Sequence, residues 1–175
     1  MQNFELRIFL KSKVKRQKIM KIEFHLIGKT DIEYLKTGIE VFEKRLAHYI
    51  PFTIVVLNDL KNPPTDNEVL KQKEGEFILA KIQPTDFLIL LDERGVGMTS
   101  KKFAQFLETK RDNGTQKIIF QVGGAFGFSQ AVYKRADLQL TLSEMTFSHQ
   151  LIRLIFMEQL YRAFTIIKGE KYHNE

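Results

Sequence analysis

The chain is 175 residues long, 43% hydrophobic and free of cysteine, so it reads as one domain able to bury a core unaided, and disulfide or thiolate chemistry is excluded. No apolar run approaches the roughly 18 to 20 residues that span a bilayer. The formal charge of +6 is concentrated at one end: residues 1–19 hold six lysines and arginines against Glu5, leaving the rest nearly neutral, so bulk charge is weak support for nucleic-acid affinity.

Residues 1–19 have no long apolar segment and no small-residue cleavage site, which argues against a secretory signal. They read as a basic leader, disordered and outside the fold, with an RNA-binding arm as the alternative. Residues 20–175 read as a single domain, and the lack of cysteine is compatible with a reducing cytoplasm.

From Met20 onward, short apolar runs alternate with helical periods. Strands are predicted over 21–27, 52–57, 86–91, 117–122 and 138–142. The third and fourth are almost continuously apolar, as strands covered on both faces of a parallel sheet should be. Between them, Ile32, Leu35, Ile39, Phe42 and Leu46 mark one face of a helix over 31–48. Val69, Lys73, Phe77 and Ala80 mark a second over 66–82, and Phe103, Phe106, Leu107 and Lys110 a third over 100–112. A last helix, 148–167, is apolar around most of its circumference, which predicts burial on several sides: by its own sheet and a second subunit, or, as the alternative, as the central core helix of a monomer. The order is that of an α/β domain.

Three loops draw attention because each ends an apolar strand, where ligands sit in open α/β sheets. Leu91-Asp92-Glu93-Arg94-Gly95 closes the third strand. Gly123-Gly124-Ala125-Phe126-Gly127 follows the fourth, where glycines permit close approach to backbone. Leu142-Ser143-Glu144-Met145-Thr146-Phe147 follows the fifth. A glycine turn alone serves strand–helix packing as readily as binding. The dinucleotide fingerprint is excluded because the loop does not follow the first strand, and a Walker A loop because Gly-Lys-Ser/Thr is missing. A pocket of backbone donors and acceptors flanked by Leu91, Leu142, Met145 and Phe147 suits an adenine and ribose better than a bare anion. Ser148 is placed to cap the last helix. His149, Arg153 and Arg162 follow as interface polar groups or RNA-phosphate contacts. The terminal Tyr172-His173 offers an aromatic ring and a base near neutral pH, with a plain disordered terminus as the alternative. No His/Asp/Glu spacing points to a metal site.

The glycine loop, Leu142–Phe147, His149-Gln150-Leu151-Ile152-Arg153, Glu158-Gln159-Leu160-Tyr161-Arg162-Ala163 and Tyr172-His173 together resemble the RlmH family from Met20 to Glu175. These are small SPOUT-class methyltransferases acting on N3 of a pseudouridine in 23S rRNA of the large ribosomal subunit. The resemblance implies a SPOUT-type, mostly parallel sheet flanked by helices with a C-terminal trefoil knot, an exception to the rule against knots. It also implies a cytoplasmic homodimer acting on the ribosome. S-adenosylmethionine is expected at Leu91, Gly123, Leu142, Ser143, Glu144, Met145, Thr146 and Phe147. The tail of one subunit is expected near the cofactor of the other. His173 is then the candidate base, Tyr172 positions the ring, and Arg153 or Arg162 stabilises the developing anion. Residues 1–19 have no counterpart in the family. Open alternatives are a knotted methyltransferase with another RNA target, a non-catalytic ribosome-binding factor, and a nucleotide-binding regulator.

Overall fold

The computed structural model describes residues 19–172 apart from Asp59 and Lys61. The basic leader before Ile19 and the predicted base His173 therefore lie outside the described residues. Five parallel strands form one sheet in the order β2-β1-β4-β3-β5. They are β1 (Lys21–Ile27), β2 (Phe52–Leu57), β3 (Phe87–Gly97), β4 (Lys117–Val122) and β5 (Leu138–Thr141). The connecting helices are α1 (Glu33–Leu46), α2 (Asn67–Leu79), α3 (Ser100–Asp112), α4 (Gln130–Arg135) and α5 (Leu151–Lys168).

Alternation along the strands sorts the core into two layers. Ile22, Phe24, Ile89, Ile118 and Phe120 face α1, α3 and α5, where Ile39, Phe103, Leu107, Phe156 and Leu160 meet them. Leu88, Leu90 and Ile119 face the other way, toward Ile78 of α2 and Val132 of α4. This two-sided cover is why β3 and β4 read as unbroken apolar runs. The rings of Phe24 and Phe120 each lie 4.6 Å from that of Phe156, which fixes α5 to the middle of the sheet. Flanked by α1 and α3, α5 has no exposed residue between Leu151 and Ile167, so its own chain accounts for much of its apolar circumference.

Two elements depart from the sequence reading. On α2 the predicted apolar face is turned outward, with Val69 38% and Phe77 47% exposed, while Gly75 and Ile78 are buried. The cause is Gly75: without a Cβ, it lets α2 settle directly on Ser129 and Val132. β3 continues past Leu91 to Gly97 with a register shift, so Leu91 and Val96 both pair with Leu140 of β5. Residues 92–95 form an excursion between those pairings, and Gly95 passes against the β5 backbone at Gln139 and Leu140. This crossing puts three loops side by side at the carboxyl ends of β3, β4 and β5.

Candidate functional site

Those three loops enclose an open cleft of about 490 Å³, within the usual range for a small-molecule site. Its floor is apolar, from Leu91, Val122, Leu140, Leu142 and Ile152. Its walls are the 92–94 excursion, the glycine loop from Gly123 to Phe128 and the loop from Ser143 to His149.

Each wall is pinned. In the first, Asp92 accepts from Tyr133 Oη at 2.5 Å and from the Arg94 amide at 2.9 Å. Arg94 also pairs with the Asp92 carboxylate, donates to the Tyr133 hydroxyl and places its guanidinium 5.3 Å from that ring. Burial on its own would raise the Asp92 carboxyl, but hydrogen bonds from Tyr133 and Arg94 outweigh it and hold the group below its ordinary value. Burial, then the Asp92 bond, pushes the Tyr133 phenol up to about 12. At neutral pH the first wall is thus a fixed carboxylate and a fixed phenol.

The glycine loop turns through Gly127 at φ +82°, whose amide donates to Gly124 O at 3.2 Å. A Cβ on Gly124 would run into the Glu74 carboxylate of α2, and one on Gly123 would press the Phe128 ring at 3.2 Å. Gly123 is therefore packed tightly against a ring, whereas at Gly124 only the end of a flexible side chain stands in the way. In the third wall, Thr141 Oγ1 donates to Ser143 O at 2.6 Å and the Met145 amide donates to Ser143 Oγ at 2.9 Å. Thr146 Oγ1 donates to Glu93 at 2.9 Å, tying the first wall to the third. The N-cap of α5 is Gln150, which makes no side-chain cap bond, and Ser148, two residues earlier, accepts from the Leu151 amide through Oγ at 3.2 Å.

Of the predicted cofactor residues, Leu91, Gly123, Leu142, Ser143, Met145, Thr146 and Phe147 all line the cleft. Glu144 is exposed and is not part of its wall. The strand ends and the family resemblance made these legible, whereas Tyr133, just beyond the glycine loop on α4 but 41 residues from its partner Asp92, gave no signal. The set fits S-adenosylmethionine: apolar floor for an adenine, backbone and hydroxyl groups for the polar parts.

The predicted catalytic residues are not gathered at this cleft. Arg153 is 1% exposed. It donates to Ile27 O at 2.7 Å, Gly28 O at 3.1 Å, Thr30 Oγ1 at 2.9 Å and His149 O at 3.0 Å. Its guanidinium is thus turned to the end of β1, where it clamps the β1–α1 loop. Arg162 and Tyr172 stand together further along α5. Arg162 Nη2 donates to Glu158 at 2.6 Å, Tyr172 Oη donates to the same carboxylate oxygen at 3.2 Å, and the guanidinium lies 5.0 Å from the Tyr172 ring. Burial and then the Glu158 charge raise the Tyr172 phenol, so it stays protonated at neutral pH. Among the described residues no group of three or more His, Asp or Glu could hold a metal ion, and no helix is long and apolar enough to cross a membrane.

The family model and the sequence relatives agree on the family. A family model described as "Predicted SPOUT methyltransferase" matches residues 20–173. The chain is 51% identical over 157 residues to the ribosomal RNA large subunit methyltransferase H of Parabacteroides distasonis, covering 89% of this chain and 100% of that one. The proteins of the same name from Cytophaga hutchinsonii and Christiangramia forsetii are 49% and 47% identical, each over 89% of this chain and 100% and 99% of their own. A solved putative methylase family protein from Neisseria gonorrhoeae superposes with a TM-score of 0.47 at 13% identity, over 93% of this chain and 89% of its own. The chain belongs to the SPOUT methyltransferase family, in its ribosomal RNA large subunit methyltransferase H branch.

Proposed function

We propose that this protein methylates N3 of a pseudouridine in 23S rRNA of the large ribosomal subunit, in the cytoplasm, with S-adenosylmethionine as donor. The observation that carries this reading is the convergence of Leu91, Gly123 and the Leu142–Phe147 loop on one cleft at the ends of three adjacent strands. When bound there, the cofactor supplies an activated methyl on a sulfonium. The chain's own residues must orient the base and take the N3 proton.

Tyr172 is a protonated phenol and a donor, so it positions rather than abstracts. His173 is the base in this reading. Arg162, beside the Tyr172 ring, offsets the negative charge that develops on the imide.

Arg162 and Tyr172 are remote from their own cleft. From Ile152, which lines it, to Arg162 the helix runs about 15 Å at 1.5 Å per residue. A homodimer answers this, bringing the α5 end and tail of one subunit to the cleft of its partner. The partly buried Glu158–Arg162 pair, with side chains 23% and 27% exposed, then lies at the junction. The nearly neutral body favours a shaped ribosomal particle over free RNA. The deciding experiment is mass spectrometry of 23S rRNA from a deletion strain, with purified protein, labelled cofactor and ribosomes in parallel. Loss of one methyl from a pseudouridine, restored by the protein, is expected; an unchanged RNA overturns the assignment.

A further inference from the structure

Two large apolar side chains on the cleft wall are held out toward solvent, Phe126 at 50% and Met145 at 75% exposure. They come from different loops, and neither loop is slack. Phe126 sits in the turn closed by the Gly124–Gly127 bridge. Met145 follows Ser143, whose hydroxyl holds its amide. Single exposed apolar residues are ordinary on a protein surface, but two held rigidly at one cleft mouth call for a partner with an apolar face.

The charge at the mouth narrows the choice of partner. Asp92 and Glu93 stand on the first wall, and Arg94 is already paired with Asp92. Within one subunit the mouth therefore has no surplus of positive charge with which to grip phosphate. What it offers RNA is a π face. A base whose ring nitrogen must meet a methyl donor inside a cleft has to leave its stack, and an aromatic side chain replaces the lost stacking.

Resting on the methylation reading above, we infer that Phe126 is a base-stacking residue for the RNA substrate, with Met145 covering the base from the opposite wall. The aromatic is a substrate-positioning group and takes no part in proton transfer.

The test uses the full chain, purified ribosomes and S-adenosylmethionine. Phe126→Ala raises KM for ribosomes roughly 5- to 150-fold, the range expected for losing one stacked base, with a much smaller change in kcat. Calorimetry finds the cofactor Kd unchanged. Phe126→Tyr and Phe126→Trp restore KM, whereas Phe126→Leu, apolar but without a π face, does not. An unchanged KM in Phe126→Ala, full rescue by leucine, or a loss of cofactor affinity overturns the stacking role while the methylation reading stands. A wild-type protein that leaves ribosomal RNA unmethylated overturns both.

Discussion

Gly95 crosses the backbone of Gln139 so closely that a Cβ added to it would lie 2.6 Å from the Gln139 carbonyl carbon. Real Cβ atoms do not approach backbone at that distance, so the requirement for glycine here is one of space. The same crossing lets Leu91 and Val96 share Leu140 as a pairing partner and sets the excursion that forms the first wall of the cleft.

Gly95→Ala is therefore expected to push the excursion off β5. The cost should be about 1–3 kcal/mol, as for other overpacked sites, with Tm falling by roughly 2–4 °C for each kcal/mol in a domain this size. Cofactor affinity should fall with it, because Leu91 and Leu142 flank the crossing. Gly97→Ala is the matched control, since its Cβ would meet only the Thr141 methyl at an ordinary 3.6 Å. Thermal unfolding of both variants checks this, and equal Tm values would refute the steric account.

Arg153 gives a second prediction, in which stability and turnover separate. Arg153→Ala leaves the Ile27 and Gly28 carbonyls without their guanidinium donor, at a cost of about 2–4 kcal/mol. Arg153→Lys recovers only part, because an ammonium cannot fork across two carbonyls and the Thr30 hydroxyl. Assayed well below the lowered Tm, the variants should keep kcat within a few-fold. A collapse of kcat with Tm intact would instead return Arg153 to the chemistry.

Arg153 also shows where sequence reading stops. Its spacing from His149 was legible, and the structure does join the two, but through the His149 carbonyl. Periodicity gives the side of a helix on which a residue lies; it does not say whether the guanidinium reaches a ligand or a buried carbonyl. The same limit explains α2. Counting apolar spacings put Val69 and Phe77 inward, while the contact that orients the helix is made by Gly75, a residue with no hydropathy to count. Sheet and cleft were easier. β1, β2 and β4 match their predicted bounds, and Gly123 with six of the other seven predicted cofactor residues meets in one place, because strand ends in a parallel sheet gather at one pole whatever their side chains.

The proposed division of the site between subunits predicts complementation. Leu142→Arg puts a charge into the apolar floor and blocks the cleft; truncation after Lys171 removes Tyr172 and His173. Each protein alone should be inactive. Mixed under conditions that exchange subunits, half the dimers pair one sound cleft with one sound tail, and about a quarter of wild-type activity should return. If the tail instead served its own cleft, no site in the mixture would be whole and activity would stay at zero.

The last prediction concerns acid stability and His25, which lies on β1 away from the cleft. His25 is 1% exposed, with Nε2 3.1 Å from Glu23, and among the described residues Nδ1 meets no partner. Burial pulls its pKa below the ordinary value near 6.5, and the hydrogen bond to Glu23 only partly opposes this; Lys117 adds to the lowering and Asp86 counters it. The unfolded chain therefore binds a proton at His25 before the folded one does. The stability due to neutral His25 is complete above about pH 6.5 and is lost as the pH falls toward the lowered folded value. Glu23 acts in a lower window. Burial would raise its carboxyl, but hydrogen bonds from His25 and Lys21 with the Lys117 charge hold it below the ordinary carboxylate value, so its contribution survives until the pH drops through that range. Tm measured from pH 7.5 down to about 5 should decline in the wild type through the histidine window. His25→Gln, whatever its absolute stability, should decline less over that interval. Equal slopes would assign the decline to other groups, and a steeper slope in the variant would mean that protonated His25 stabilises the fold through Glu23.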